Sequence, residues 1–505
     1  MFKKITKKLW LLAIIIPSVF YFWYVFNGEA ILSSDIARDF LLYSEITQKK
    51  IILIGPKSSV MGIFHGPLWL YLNYPAYALG GGNPVVIEAF WIFLTFLFIY
   101  SCYFVGKNLF DKNTGYLFSA MVALYMFFHI NQFYNPMGAM FLIPINFYFF
   151  IKYLQTYKKK FIIAYFLLLG LIIQFELAIG IPFLILSILY LFIKLIRSKY
   201  RKHLLAIFLV MIPLLNYVVF DIRHEFLLTN SILRYLSPES GDSIKYNYLY
   251  MLYDRLKLMI TNVEILRSDP GNRNLLTGLI FIFFLVLQFR NKKYKQIYFL
   301  FLYFYVGFYA LTFINKGPVL YFYMFPLFPF VFLIFSSFIT SKYKRVFLAI
   351  FIIVYCINLT TLFKDIKIFT NTYLGKSETS WKFLSTMANS LYQGPEEGFG
   401  YFVYTPDIIA YGPKYALFYE EKRHKNKKPV YFEKKKITYI VVAPPAKDNP
   451  YLSYEWWKEQ RLNIKKDPIK TITFSNGYRI EKYELNNREV SESFDKGIDP
   501  GLSFR

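Results

Sequence analysis

Residues 84–106 read PVVIEAFWIFLTFLFIYSCYFVG, an apolar stretch that carries a single charge, Glu88. A run of about 20 apolar residues is long enough to cross the hydrocarbon core of a membrane as a helix. Similar runs recur along the 505-residue chain, which is 56% hydrophobic and 21% aromatic. The sequence therefore predicts a polytopic α-helical membrane protein rather than a soluble or disordered chain.

About eleven such runs are predicted to span the membrane as helices. They are 9–27, 84–106, 114–130, 137–156, 161–176, 180–197, 203–221, 274–290, 297–314, 318–340 and 346–362. A weaker apolar stretch at 66–80 is too short to span, and it predicts a helix that lies in the membrane interface or dips partly into the membrane. The two cysteines, Cys102 and Cys356, lie inside apolar runs, so no disulfide framework is indicated.

The formal net charge of +26 would ordinarily suggest a nucleic-acid or anionic partner. Its distribution favours another explanation. The segments 1–9, 106–113, 152–160, 194–202, 290–295 and 341–345 hold 22 Lys and Arg residues, whereas the short connections 131–136, 174–181 and 315–318 hold only Lys316. By the positive-inside rule this asymmetry predicts a cytoplasmic N-terminus. The basic clusters are then explained by membrane topology, and no nucleic-acid site is needed to account for the net charge.

This orientation leaves three longer segments outside: loops at 28–65 and 222–273, and a tail. We predict a transmembrane domain over 1–362 and a small extracytoplasmic α/β domain over 363–505. In the tail, KKITYIVVAPP (435–445) is typical of a buried strand, and residues 451–462 are typical of an amphipathic helix. Asn476-Gly477 predicts a hairpin turn.

The first outer loop begins GEAILSSDIARDFLLYSEITQKK (28–50). Ser33 or Ser34 can cap a helix on which Asp35 and Asp39 lie one turn apart, with Arg38 beside them. One carboxylate could act as a general base while the other and Arg38 set its charge state. The alternative is a solvated amphipathic helix whose charges serve only solubility.

Four motifs in order carry a resemblance to a known family: SDIARDF (34–40), HGPLWLYL (65–72), GKNLFDKNTG (106–115) and FYNP (133–136). With them the chain resembles the GT-C superfamily of membrane glycosyltransferases, in the bacterial branch related to protein O-mannosyltransferases and the lipid A aminoarabinose transferase. The resemblance implies an integral protein of the bacterial plasma membrane. It implies transfer of a sugar from a polyprenyl-phosphate carrier to a lipid, glycan or protein acceptor on the outer face. Membrane lipids would surround the chain.

The resemblance also implies roles for particular residues. Asp35 matches the proposed catalytic base, which would take a proton from the acceptor hydroxyl in an inverting displacement. Relatives often carry an acidic residue directly after this Asp; here that position is Ile36, and Asp39 is the candidate second carboxylate. Some relatives bind a divalent cation near these carboxylates, although the sequence contains no metal motif of recognisable spacing.

The phosphate contact departs from the family pattern. The aminoarabinose transferases carry a phosphate-contacting Lys before the proline that matches Pro67, whereas this chain has Gly66. His65, Lys57 and the central loop are the candidates to replace it.

The central loop opens FDIRHEF (220–226), which places Arg223 and His224 at the outer end of a span. Arg suits bidentate phosphate binding, but Arg223 could equally be a flank that reaches the lipid headgroups. Glu176, in a tight outer turn, is a candidate substrate contact. Arg234, Lys245, Arg255 and Lys257 predict a solvated basic surface or a lid.

A transporter or flippase for a lipid-linked sugar is the alternative function. Transporters place polar groups and broken helices near the bilayer midplane, often in repeats. Here the polar candidates gather in outer loops, which favours an enzyme. A non-catalytic assembly subunit would tolerate loss of both Asp35 and Asp39.

Overall fold

The computed structural model describes residues 2–237, 247–267, 272–315, 317–406, 409–445 and 453–498. Lys245 and Lys316 therefore lie outside the described residues. The chain divides into two compact units. Unit 1 comprises Met1–Trp23, Ile51–Asn73 and Ala89–Ile366, and unit 2 comprises Tyr24–Lys50, Tyr74–Glu88 and Lys367–Arg505. The predicted domain boundary at 362–363 stays a prediction.

The chain is mostly helical. The α-helices are, in order, α1 Phe2–Val19, α2 Phe22–Phe26, α3 Ser34–Lys49, α4 Leu68–Leu79, α5 Pro84–Leu109, α6 Lys112–Phe127, α7 Asn135–Thr156, α8 Lys159–Phe175, α9 Leu177–Leu195, α10 Leu215–Arg223, α11 Leu227–Leu236, α12 Tyr248–Thr261, α13 Asn272–Gln288, α14 Lys295–Leu311, α15 Phe328–Ser337, α16 Lys344–Ile368, α17 Trp381–Tyr392, α18 Tyr411–Arg423, α19 Tyr454–Trp456 and α20 Asn487–Ser491. The strands are β1 Gly398–Tyr404, β2 Lys428–Tyr431, β3 Ile437–Val442, β4 Lys470–Thr473 and β5 Arg479–Glu484.

Within the described part of the chain, seven helical stretches are long and apolar enough to cross a membrane. They are Lys8–Phe26, Pro84–Leu109, Asn135–Thr156, Leu177–Leu195, Lys295–Ile314, Phe322–Thr340 and Lys344–Tyr373. The segment Arg201–Met211 and helix α10 form an eighth candidate, bent by 54°. Pro213 lies at the break and cannot donate a backbone hydrogen bond there. These helices make the chain an integral membrane protein.

The remaining predicted spans fall on shorter helices: α6, α8 and α13 have 16, 17 and 17 residues. The total of eleven spans stays a prediction. The predicted interface segment forms α4, with 12 residues.

The motif GKNLFDKNTG forms the turn between α5 and α6. Asp111 caps α6 by accepting a hydrogen bond from the Thr114 amide at 2.8 Å. A Cβ on Gly106 would lie 2.9 Å from the Cα of Gly115, so the two helices approach through paired glycines. The motif therefore has a structural explanation, because only glycine permits this backbone contact.

Aromatic side chains form much of the interior of unit 1. The rings of Phe301 and Phe330 lie 4.7 Å apart, as do those of Phe147 and Phe330. Helix α15 is buried along its whole length, from Phe328 to Ser337. The aromatic residues of α15 thus pack inside unit 1 and form part of its core.

Arg255 is buried, so its predicted place on a solvated basic surface is wrong. Its side chain is only 2% exposed, and it donates to the carbonyl oxygen of Gly317 at 2.7 Å and pairs with Asp254. It is a buried structural cation in unit 1, whereas Arg234 and Lys257 are exposed.

Unit 2 contains a mixed sheet of order β2-β1-β3-β5-β4 among the residues that are described. Strands β2, β1 and β3 are parallel, and β5 is antiparallel to both β3 and β4. The predicted hairpin at Asn476-Gly477 is present, with Phe474 donating to the Tyr478 carbonyl at 2.8 Å and Gly477 at φ +89°. The predicted strand at 435–445 is β3.

The predicted helix at 451–462 is only partly regular. Residues 451–452 lie outside the described residues, α19 covers one turn, and Trp457–Arg461 continues as a π-helix. Trp457 nonetheless packs into a core with Phe402, Ile440 and Tyr483, so the predicted amphipathic face is buried against the sheet.

Candidate active site

The acidic helix α3, in unit 2, begins at Ser34, with Ser33 at the N-cap position but without a side-chain capping bond. Ile36, Phe40 and Tyr43, the predicted apolar side, are each 1% exposed. The burial reaches the charged face as well, where Arg38 and Asp39 are buried. A helix that served only solubility would keep these charges in water, so the solvated interpretation does not fit.

Arg38 joins the two aspartates. Its Nη1 lies 2.7 Å from Oδ1 of Asp35, and its Nε and Nη2 lie 3.1 and 3.0 Å from Oδ1 of Asp39. The Asp39 side chain is 2% exposed, whereas that of Asp35 is 54% exposed. One carboxylate is therefore fixed inside the protein, and the other can meet a substrate.

Glu29 anchors the start of this helix, a role that sequence reasoning missed. Its buried carboxylate accepts bonds from the Ser380 hydroxyl at 2.6 Å, the Gly375 amide at 3.1 Å and the Lys382 amide at 3.2 Å. The Leu32 amide also donates to Thr379 at 2.7 Å. The available signal was a lone acidic residue directly after an apolar run, which does not reveal its distant partners.

Aromatic contacts hold the apolar side of α3. The Phe40 ring lies 5.0 Å from Tyr415 of α18, and the Tyr43 ring lies 5.4 Å from Tyr77. Burial raises the pKa of the Tyr43 hydroxyl well above its ordinary value, and the nearby Asp39 carboxylate adds to this shift. Tyr43 thus stays neutral beside the ion pair.

A second group of predicted residues lies in unit 1. The loop at 55–66 folds on itself through two backbone hydrogen bonds. The Gly55 amide donates to the His65 carbonyl at 2.8 Å, and the His65 backbone amide donates to the Pro56 carbonyl at 2.9 Å. Lys57 pairs with Phe64 in a short antiparallel bridge. Lys57 is exposed, and His65 is only 8% exposed. Of the two candidates, Lys57 is the more accessible cation.

Gly66 has a physical reason to lack a side chain. Its amide donates to the carbonyl of Gln174 at 2.9 Å, and a Cβ here would lie 1.8 Å from Oε1 of Gln174. The side-chain Nε2 of Gln174 in turn donates to the Pro213 carbonyl at 2.6 Å, which fixes the Gln174 side chain in place. A lysine at this position would therefore clash with Gln174.

Glu176 lies between α8 and α9 and is 1% exposed. Its carboxylate accepts bonds from the Ala178 amide at 3.1 Å and from Asn135 of the FYNP motif at 3.3 Å. Asn135 also donates to the Phe175 carbonyl at 2.9 Å. The structure gives Glu176 a capping function at the start of α9, and contact with substrate stays a prediction.

Arg223 and His224 end α10, and both are exposed. The His224 ring stacks on Phe220 at 4.1 Å, and Phe220 packs on Phe64 at 5.7 Å. The structure thus brings the end of α10 next to the loop that carries His65 and Lys57, within unit 1. Asp221 fixes the following turn by accepting a bond from the Leu228 amide at 2.8 Å.

No group of three or more His, Cys, Asp or Glu side chains suited to a metal ion occurs in the ranges that the structure describes. The divalent cation implied by the family resemblance stays a prediction. Arg38 already supplies a positive charge to both aspartates of α3.

Comparison with known proteins gives structural matches only. No family model matches the chain, and no curated protein does. The chain is similar to ArnT from Cupriavidus metallidurans in the apo state, with a TM-score of 0.58 and 9% identity over 94% of this chain and 98% of that chain. For ArnT bound to undecaprenyl phosphate the TM-score is 0.57, with 9% identity over 96% and 99%. The archaeal oligosaccharyltransferase AglB from Archaeoglobus fulgidus gives 0.46, with 11% identity over 87% and 70%. The likeness to ArnT confirms the predicted GT-C fold.

Proposed function

We propose that this chain, which has the fold of ArnT, is a membrane glycosyltransferase that moves a sugar from a polyprenyl-phosphate carrier to an acceptor on the outer face of the membrane. The observation that carries the proposal is Arg38, held between the buried Asp39 and the half-exposed Asp35. The ArnT structure bound to undecaprenyl phosphate supports a lipid-linked donor.

Asp35 is the catalytic base in this proposal. Its carboxylate takes the proton of the acceptor hydroxyl as that oxygen bonds to the anomeric carbon of the donor sugar. The bond from the anomeric carbon to the phosphate oxygen breaks, and the polyprenyl phosphate leaves with the electron pair. A single displacement of this kind inverts the anomeric configuration. Asp39 keeps Arg38 in place, and Arg38 orients Asp35.

The leaving phosphate gains negative charge and needs cations. Unit 1 offers Lys57 and Arg223 as exposed cations, with His65 and His224 beside them. Gly66 has no room for the Lys of related enzymes, which makes a replacement necessary. We assign Arg223 as the main phosphate contact, because a guanidinium can bind two phosphate oxygens at once.

The test of the base is the variant Asp35→Asn, assayed as purified full-length protein with polyprenyl-phosphate sugars. We expect kcat to fall by about 10²- to 10⁴-fold, the usual contribution of a general base. Glu45→Gln is the matched control, because Glu45 lies on the same helix and pairs with Lys49 at 2.7 Å. Full activity of Asp35→Asn would exclude this mechanism.

A second variant tests the phosphate contact. Arg223→Ala should raise KM for the lipid-linked donor by about 10-fold or more, because a charge-assisted phosphate contact is lost. KM for the acceptor should change less. Equal effects on both substrates would contradict a phosphate role, and Arg234→Ala, an exposed Arg on α11, serves as the control.

The same assay distinguishes the transferase from the alternative, a transporter or flippase. A flippase would move the lipid-linked sugar across a vesicle membrane without releasing polyprenyl phosphate. Release of polyprenyl phosphate that depends on Asp35 is the result expected for the transferase.

A further inference from the structure

Unit 2 contains a polar cavity between α17 and α18, separate from the acidic helix α3. Its volume is about 280 Å³. The residues that line it come from one face of each helix: Ser385, Thr386, Asn389, Glu420, Arg423 and His424. The two helices are also joined by a hydrogen bond that the Tyr392 hydroxyl donates to the Leu417 carbonyl at 3.0 Å.

Glu420 is the unusual member of this lining, because it is 1% exposed. Its Oε1 accepts a bond from Arg423 at 3.1 Å. Its Oε2 accepts no hydrogen bond from any described residue, and His424 Nε2 is 3.5 Å away. A buried carboxylate oxygen without a donor is costly, so a hydroxyl that entered the cavity would be bound favourably.

The other groups offer a mixture of donors and acceptors. His424 Nε2 lies 3.0 Å from Oδ1 of Asn389, which leaves the Asn389 amide nitrogen able to donate elsewhere. The Thr386 hydroxyl donates to the Lys382 carbonyl at 2.7 Å and keeps lone pairs for accepting. Arg423 is 61% exposed and has donors beyond the one given to Glu420.

Charge and size restrict the class of ligand. The charges of Glu420 and Arg423 cancel, and the buried carboxylate would repel a phosphate or another anion. The cavity lies near the lower end of small-molecule sites, which run from about 300 to 1,000 Å³. Alternating donors and acceptors in a small space whose charges balance suit vicinal hydroxyl groups on one ring.

We propose that this cavity binds a single neutral sugar residue, with Glu420 Oε2 accepting from one hydroxyl and Asn389 and Arg423 donating to its neighbours. The site goes beyond the proposed transfer reaction, since binding here needs no donor lipid and no catalytic base. It gives unit 2 a saccharide-recognition function of its own.

The test measures binding of methyl glycosides of glucose, galactose, mannose and N-acetylglucosamine to the full-length protein by titration calorimetry and saturation-transfer NMR. The detergent must lack a sugar headgroup, because a glycoside detergent would compete. At least one glycoside should bind with a Kd of about 10 mM or tighter. Asp35→Asn should bind it equally well, which separates this site from the proposed catalytic one.

Three variants locate the binding. Glu420→Gln should weaken it about 10-fold, whereas Glu421→Gln, one residue further along the chain and outside the lining, should change it less than about 2-fold. Thr386→Trp should abolish binding by filling the cavity. Thr386 is exposed, so this variant should keep its unfolding temperature even where Glu420→Gln does not.

Three results would overturn the proposal. In the first, none of the glycosides binds to the wild-type protein. In the second, binding survives both Glu420→Gln and Thr386→Trp, which places the sugar elsewhere. In the third, inorganic phosphate displaces the sugar, which identifies an anion site instead.

Discussion

At the scale of single residues, the site of unit 2 depends on an unequal pair of carboxylates. Asp35 and Asp39 contact the same guanidinium, yet their side chains are 54% and 2% exposed. Their spacing along the helix predicts a shared face, because residues four apart lie one turn apart. Their difference in burial depends on what packs over α3, and the spacing carries no information about that.

Asp39→Asn tests the structural half of this pair. The change leaves the buried Arg38 without its main countercharge and should cost about 3–5 kcal/mol of the free energy of unfolding. The double variant Arg38→Met with Asp39→Leu should recover much of that loss, because no buried charge remains. Thermal unfolding of the purified protein measures both.

Asp35→Asn is the matched control, since this half-exposed carboxylate should contribute little to stability. Equal destabilisation by Asp35→Asn and Asp39→Asn would contradict the unequal roles that we assign to them.

At the scale of elements, helix α3 is fixed at its start by Glu29 and along its side by aromatic rings. Glu29 accepts bonds from residues more than 340 positions away in the sequence. The sequence predicts where such a helix begins and which side is apolar, because both are local properties. It cannot predict the partners of Glu29, because they meet only in the folded chain.

The sheet of unit 2 contains an ion pair that makes stability depend on pH. Glu396 accepts hydrogen bonds from Lys482 of β5 and from the Tyr439 hydroxyl of β3, at 2.9 Å for the latter. Burial by itself would raise the pKa of Glu396, but these bonds outweigh it and hold the pKa below the ordinary value. The ion pair therefore stabilises the sheet at pH values above the ordinary Glu pKa. This stabilisation is lost as pH falls through the lowered pKa of Glu396.

Lys482→Met should accordingly lower the unfolding temperature at pH 7. The difference from wild type should shrink as pH falls below the ordinary Glu pKa and through the lowered pKa of Glu396, because the carboxylate then becomes protonated in both proteins. Lys436→Met is the control, because its pair with Glu484 is exposed and 3.8 Å long, and it should have little effect at either pH. A difference that grows with acidification would be inconsistent with this account.

At the scale of the whole molecule, apolar runs and basic clusters predict how the chain crosses the membrane. In the described part of the chain, seven of the predicted apolar runs form helices long enough to span a membrane. The orientation, with a cytoplasmic N-terminus and residues 363–505 outside, stays a prediction.

Single-cysteine labelling tests the orientation in intact cells, in a Cys356→Ser background that removes the exposed native thiol. A membrane-impermeant maleimide should label Lys425→Cys in intact cells and Lys159→Cys only after the membrane is opened. Both lysines are exposed, so access to the reagent depends on the side of the membrane. The reverse labelling pattern would overturn the topology.

The sequence by itself determined the membrane class, the positions of the longer spans and the hairpin at Asn476-Gly477. Each of these follows from residues close together in the chain, since hydropathy and turn geometry are local properties. The tertiary structure alone showed that α3 shares a compact unit with the distant sheet, that Gly66 faces Gln174, and that two polar helix faces enclose a cavity. These facts depend on contacts between residues far apart in the chain, which become neighbours only when packing brings them together.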